Sequence, residues 1–208
     1  MSLSLLIYTA DTNESLVEKI EKRFLDYKMK VKFHPGFTFD KETNTGFCPF
    51  RLEVLKDELG HYEHFQKPLM TGFEIYFKDY AYEAPLKPIK EAKSPKKSFL
   101  KNLFGGKTKP QIQSKPAYLV SKEIDEHLEA CDEQIMISWQ TGPELRVSLF
   151  FASFLAELTQ GVVLDPRSDE YFLPERSLEV FPQEIVAYEQ SFSRNDFTAK
   201  MQEFDTWL

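Results

Sequence analysis

The chain has 208 residues, of which 42% are hydrophobic and 14% aromatic, and its formal net charge at pH 7 is −7. Disordered proteins carry far fewer large apolar residues, so this composition excludes that class and indicates a globular protein with an aromatic-rich core. Cys48 and Cys131 lack the spacing of metal ligands, and no apolar run approaches the roughly 18 residues of a membrane-spanning helix. We therefore expect a cytoplasmic protein.

The charge is distributed unevenly along the chain. Residues 87–116 contain nine lysines and one acidic residue, so this segment carries +8 and the rest of the chain carries −15. An acidic body repels nucleic acid and attracts cationic molecules through a field that salt screens. The sequence therefore favours a basic protein over a nucleic acid as the partner.

Residues 1–83 predict a strand, a helix and three further strands. The helix spans residues 16–27, where apolar side chains recur at spacings of three and four after Asn13, a residue suited to cap it. The strands are short apolar or alternating segments bounded by turn residues. They are predicted at Leu3–Thr9, at residues 31–39 with a break at Pro35-Gly36, at Phe47–Leu55 and at Gly72–Tyr82.

Residues 84–116 are predicted to be a linker or an insertion, because five of the chain's twelve prolines fall here without sustained apolar periodicity. Ser94 and Pro95 could begin a short helix with one apolar and one basic side. A solvated connector is the favoured interpretation, and contact with a membrane surface or another anion is the alternative. The residues of that alternative contact are Lys96, Lys97, Phe99, Lys101, Leu103, Phe104 and Lys107.

Residues 117–208 predict a helix, a strand, a long helix, a hairpin and one or two terminal helices. Ser121 is placed to cap the first helix, and Ile135–Trp139 is the predicted strand. The hairpin is expected to turn at Asp165-Pro166, and the terminal helices are expected after Pro182.

The long helix of this half is predicted at Leu145–Gln160 and is apolar on nearly all sides, which indicates a central buried helix. Thr141 and Glu144 match a capping box before it, and Gly161 is placed to cap its C-terminus. The whole pattern predicts an α+β fold of mixed or antiparallel sheets packed with helices. Two halves of similar size, 1–83 and 117–208, are expected to be joined by the basic loop 84–116.

Motifs for chemistry are weak in this sequence. His61 and His64 could reach one metal ion from a single helical turn, but a third ligand at a recognisable spacing is missing. Cys131 has no predicted histidine neighbour, so a packed thiol is favoured over a nucleophile. We therefore assign no catalytic, cofactor-binding or metal-binding residues and expect no cofactor.

The candidate partner-binding residues are an aromatic residue at a strand end and the acidic residues around the predicted hairpin. A hairpin tip is normally solvated, which favours contact with a cationic partner over acid/base catalysis by paired carboxylates. These residues are Trp139, Asp165, Asp169, Glu170 and Glu175.

The segment Ile137–Phe172, about one sixth of the chain, resembles the C-terminal part of several uncharacterised bacterial α/β families. In these, a strand that ends near a tryptophan leads into a long apolar helix and then into a Gly-Val-x-x-Asp-Pro strand and hairpin. Some such proteins are similar to immunity proteins encoded beside toxins. The resemblance implies a non-enzymatic protein that neutralises a toxin by covering its active surface.

Two other hypotheses remain open from the sequence. One is a peripheral membrane or scaffold-associated protein that uses residues 96–107. The other is a small enzyme whose site assembles from residues distant in sequence. A pocket that holds Trp139 together with carboxylates would favour the enzyme.

Overall fold

The computed structural model describes residues 3–41, 45–56, 59, 68–85, 118–140 and 142–191. The strands are β1 (Leu3–Thr9), β2 (Met29–Phe33), β3 (Gly46–Val54), β4 (Leu69–Asp79), β5 (Glu133–Trp139), β6 (Val162–Asp165) and β7 (Glu170–Phe172). The helices are α1 (Ser15–Asp26), α2 (Lys122–Glu129), α3 (Gly142–Thr159) and α4 (Pro174–Gln190). None of the described helices is long and apolar enough to cross a membrane.

The seven strands form one antiparallel sheet in the order β2-β3-β4-β5-β1-β6-β7. β1 lies between β5 and β6, and β4 pairs with β5. Strands from the two predicted halves of the chain therefore share a single sheet. The predicted α+β class with an antiparallel sheet is confirmed.

One face of the sheet, the inner face, is buried beneath α1, α3 and α4. In β2 the residues alternate between buried and exposed, as expected for a strand with one face on the core. α3 is buried from Gly142 to Ala156 because it packs against the sheet, α1 and α4. Aromatic rings join these layers, for example Phe24 of α1 with Phe154 of α3 at a centroid distance of 5.0 Å.

The opposite, outer face of the sheet is covered by α2 where β1 and β6 lie. Leu128 of α2 packs with Tyr8, Val162 and Leu164 of these strands. Ser121 caps α2 as predicted, since its side chain accepts a hydrogen bond from the backbone N–H of Ile124 (3.2 Å). Asn13 acts one residue before the N-cap position of α1, where its Oδ1 accepts from the N–H of Ser15 (3.1 Å).

The strand predicted to resume after Pro35-Gly36 is not present. The carbonyl oxygen of His34 accepts from the N–H of Phe37 (2.8 Å), which turns the chain back toward the core. Phe37 and Phe39 are buried there against each other and against Phe151. The apolar alternation therefore reflects burial of a loop and not strand pairing.

The end of α3 differs from the prediction in one detail. Gly161 donates to the carbonyl oxygen of Ala156 (2.8 Å), but the left-handed residue is Gln160, with φ +54°. Gly161 is required for a different reason: a Cβ atom there would lie 2.1 Å from the carbonyl oxygen of Tyr8. The glycine allows β1 and the chain after α3 to approach closely.

The helix predicted after Pro182 begins earlier. α4 starts at Pro174, a position at which the missing N–H is not needed, and it continues through Pro182. The prediction was wrong because we took an internal proline as a helix boundary. The apolar stripe at Phe197, Met201, Phe204 and Leu208 lies outside the described residues.

Candidate functional site

The structure places the predicted partner-binding residues in two different environments. Trp139 and Asp165 are buried, with 2% and 3% of their surface exposed, so neither offers the exposed contact that we expected. Asp169, Glu170 and Glu175 are exposed as expected. Trp139 is covered because it lies on the inner face of the sheet.

Asp165 is engaged in a salt bridge that stabilises the hairpin. Arg167 Nε and Nη2 lie 2.8 and 2.6 Å from its carboxylate oxygens, and Arg167 also contacts Glu184 of α4 at 3.2 Å. The hydrogen bond that Arg167 donates to Asp165 is the main cause that raises the pKa of Arg167. Arg167 therefore links the hairpin to α4, and Asp165 has the structural role of holding Arg167 in place.

The exposed segment Tyr118–Val120 precedes α2 and is held from beneath by Asp125. The N–H groups of Leu119 and Val120 donate to the two carboxylate oxygens of Asp125 (2.5 and 3.0 Å), and Tyr82 Oη donates to the first of these (2.5 Å). Burial opposes ionisation of Asp125, but these hydrogen bonds outweigh it and lower the pKa. The side chains of Tyr118, Leu119 and Val120 nevertheless remain 44%, 50% and 43% exposed.

Acidic side chains line an open groove of about 360 Å³ at α2, which we call the acidic groove. Its lining includes Asp11, Glu123, Glu126, His127 and Gln160. Asp11 and Gln160 both adopt left-handed backbone conformations, with φ of +54°. Such conformations cost free energy in residues other than glycine and are often found at functional positions.

The remaining groups of the acidic groove do not indicate catalysis. His127 Nδ1 lies 2.7 Å from the carbonyl oxygen of Gln160, and Cys131 Sγ donates to the carbonyl oxygen of His127 (3.2 Å). Burial raises the pKa of Cys131 to about 11, so its thiol is protonated at neutral pH. Within the described ranges no group of three His, Cys, Asp or Glu side chains could hold a metal ion, and His61 and His64 lie outside those ranges.

Asp169 lies in the turn between β6 and β7. It precedes Tyr171, which packs in the cluster beneath α2 together with Tyr8. Burial is the main cause that raises the pKa of Tyr171, and the negative charges of Asp169 and Asp125 add to it. Asp169 and Asp125 thus both lie close enough to Tyr171 to act on its hydroxyl.

A second concave site, the Trp139 notch, opens where β4 and β5 separate. It has a volume of about 170 Å³, and its lining includes Phe47, Gly72, Glu74, Ser138, Trp139 and Glu144. Glu144 is buried at the start of α3, where it accepts from Thr71 Oγ1 (2.8 Å) and from the backbone N–H of Gln140 (2.8 Å). Glu144 therefore caps the start of α3 through the backbone N–H of Gln140. Its predicted partner in the capping box, Thr141, lies outside the described residues.

Sequence reasoning missed most of both sites. Asp11 is more than 100 positions from Glu123 and Glu126, and only the net charge of the chain indicated an acidic surface. The basic contact set from Lys96 to Lys107 lies outside the described residues, so its membrane or anion contact stays a prediction.

Comparisons with known proteins identify no relative: no protein-family model, curated protein or solved structure matches this chain.

Proposed function

We propose that this protein is a non-enzymatic binding protein that captures a basic protein partner through the α2 surface, defined as Tyr118–Val120 together with the acidic groove. The observation that carries the proposal is the exposure of three consecutive large apolar side chains, Tyr118, Leu119 and Val120, whose backbone is fixed by buried Asp125. Exposed apolar groups beside polar ones are typical of protein-binding surfaces.

The fixed backbone favours tight binding, because a loop that is already ordered loses little conformational entropy when a partner binds. Asp125 satisfies two backbone N–H groups and the Tyr82 hydroxyl at once, which holds the loop in one conformation. Leu119 lies at the centre of Tyr118–Val120 and is half exposed, so it is the side chain best placed to enter a pocket of the partner.

The acidic groove supplies the preference for a basic partner. Asp11, Glu123 and Glu126 direct negative charge to one side of α2, and the chain outside residues 87–116 carries −15. Charge of this kind increases the association rate with a cationic protein and makes binding sensitive to salt. Immunity proteins that cover cationic toxins in the bacterial cytoplasm are one such class, and the resemblance of residues 137–172 supports it.

The test is affinity capture with three forms of the protein: the wild type, a groove variant (Asp11→Asn, Glu123→Gln, Glu126→Gln) and a control variant (Glu14→Gln, Glu18→Gln, Glu179→Gln). Both variants lose three negative charges from exposed positions, and asparagine tolerates the left-handed conformation of Asp11. The proposal predicts that the wild type and the control retain one basic protein at equal stoichiometry, while the groove variant loses it.

If the retained protein is a toxin, adding one equivalent of the wild type must abolish its activity. Retention of the partner by the groove variant at the wild-type level would contradict the proposal. Recovery of lipid alone would instead favour the basic segment as the functional part.

A further inference from the structure

The outer face of the sheet carries three cationic side chains at β2 and β3. Lys30 and Lys32 alternate with the buried residues of β2, and Arg51 alternates with those of β3, so all three lie on the face away from the core. Together with Glu53 they line a groove of about 370 Å³, which we call the basic groove. Three cations against one carboxylate leave this groove positive on a chain whose net charge is −7.

The register of the sheet sets two of these cations against each other. Lys32 lies directly opposite Arg51, and like charges in this position are unfavourable. Lys32 is paired with Glu21 of α1, but no carboxylate or other acceptor of the described ranges contacts the guanidinium of Arg51. Lys30 Nζ lies 3.9 Å from Glu53 Oε2, which is a long ion pair. An anion beside Arg51 would use its free N–H donors and relieve the repulsion.

An exposed aromatic ring lies on the same face, farther along β3. Phe47 and Arg51 both point outward, because buried residues alternate with them in this strand. The ring of Phe47 lies over Gly72 of β4, where a Cβ atom would be 2.5 Å from Phe47 Cζ. Glycine therefore allows the ring to lie directly on the sheet, and 47% of the surface of Phe47 is exposed.

The ring of Phe47 and the basic groove are close enough for one ligand to contact both. Gly72, beneath the ring, pairs with Pro49 of β3. Pro49 is two residues from Arg51, or about 7 Å along a strand. A nucleotide has a comparable separation between its planar base and its phosphate groups, which are joined through the sugar.

We propose that this face binds a nucleotide, whose phosphate groups contact Arg51, Lys32 and Lys30 while its base stacks on the ring of Phe47. A guanidinium binds phosphate oxygens through paired hydrogen bonds, and lysines add point charges. Stacking of a base on an aromatic side chain is favourable for every base. The acidic body repels a long nucleic-acid strand, so a free nucleotide is the ligand that fits the charge of the chain.

The probe is ADP, and its binding is measured by isothermal titration calorimetry. Adenosine keeps the base but lacks the phosphates, and inorganic pyrophosphate keeps the phosphates but lacks the base. We expect saturable binding of ADP and at least roughly tenfold weaker binding of each of the other two compounds. Equal affinity for adenosine would overturn the contact with the cations, and equal affinity for pyrophosphate would overturn the stacking on Phe47.

Variants of the two contacts test the site directly. Arg51→Gln removes the unpaired guanidinium and is expected to weaken ADP binding roughly tenfold. Lys19→Gln is the matched control, because it removes an exposed cation from α1 and should leave the affinity unchanged. Phe47→Leu keeps an apolar side chain without the ring and is also expected to weaken binding roughly tenfold, while Phe47→Tyr keeps the ring and the affinity.

No saturable binding of ADP, or an unchanged affinity in Arg51→Gln or Phe47→Leu, would overturn the proposal. Circular dichroism of each variant excludes misfolding as a cause of lost binding. A decaadenylate oligonucleotide is expected to bind no more tightly than ADP, and tighter binding would overturn a free nucleotide as the ligand. Failure here would leave the capture experiment with the groove variant unaffected, because the two sites share no residue and β4 and β5 lie between β3 and β1.

Discussion

Arg146 of α3 and Glu189 of α4 form an ion pair from which water is excluded. Arg146 Nε lies 2.8 Å from Glu189 Oε1, and Nη2 lies 2.6 Å from Oε2. Only 1% of the Arg146 side chain and none of the Glu189 side chain is exposed. The pair fixes the position of α4 on α3 in a buried layer.

Removing one member of this pair is expected to destabilise the protein strongly, because the other charge is left buried without a partner. We expect Arg146→Met to lower the free energy of unfolding by about 3–5 kcal/mol. The double variant Arg146→Met, Glu189→Leu is expected to recover most of that loss. Urea unfolding gives the free energy of unfolding of the single and the double variant. A double variant no more stable than the single one would show that apolar side chains do not replace the ion pair.

Gly161 is predicted to tolerate no side chain. A Cβ atom would lie 2.1 Å from the carbonyl oxygen of Tyr8, so Gly161→Ala must displace β1 or the chain after α3. We expect a loss of about 2–4 kcal/mol in the free energy of unfolding. Gly36→Ala is the matched control, because its nearest neighbour is the His34 side chain at 3.2 Å, which can move. Equal free energies of unfolding for Gly161→Ala and Gly36→Ala would contradict the close approach of Gly161 to Tyr8.

Asp125 is expected to make stability depend on acidic pH. Its pKa is lowered in the folded state, so the unfolded chain binds more protons as pH falls. The contribution of Asp125 is therefore complete above its ordinary pKa of about 3.8 and is lost as pH falls through the lower folded value. Unfolding of the wild type and Asp125→Asn is compared between pH 7 and pH 2.5. The difference in the free energy of unfolding between the two proteins must shrink toward acidic pH. A constant difference would contradict hydrogen bonding to an ionised Asp125.

The two cysteines are predicted to react slowly in the folded protein. Burial raises the pKa of Cys131 to about 11 and that of Cys48 well above its ordinary value. Only the thiolate reacts, so at pH 8 iodoacetamide should modify Cys131 at least about 100-fold more slowly than free cysteine. Mass spectrometry gives the rate of modification in the native protein, and the urea-unfolded protein gives the reference rate. Rapid native modification at Cys131 would revive a nucleophilic role for this thiol.

Local patterns in the sequence predicted the elements better than their arrangement. Leu3–Thr9 is a strand with the predicted bounds, and α3 is the long buried helix expected from its apolar surface. The pairing of Leu3 with Trp139 joins residues that are far apart in the sequence and leaves no local signal. The same limit explains why Trp139 was expected at the surface, although β5 lies in the middle of the sheet.

The candidate sites were harder to predict because they depend on contacts between distant residues. The exposure of Tyr118–Val120 matters only because Asp125 and Tyr82 fix its backbone, and neither contact follows from residue spacing. A pocket that holds Trp139 with carboxylates, which we expected to favour the hypothesis of an enzyme, is present as the Trp139 notch.

The most direct test of partner binding through the α2 surface is the affinity of the captured basic protein for Leu119→Ser. Leu25→Ser is the matched control, because this leucine of α1 is 45% exposed, close to the 50% of Leu119. Isothermal titration calorimetry should show that Leu119→Ser weakens binding at least tenfold, as expected for a central apolar contact, and that Leu25→Ser leaves it unchanged. Equal affinities for the two variants would show that the partner does not bind through Tyr118–Val120.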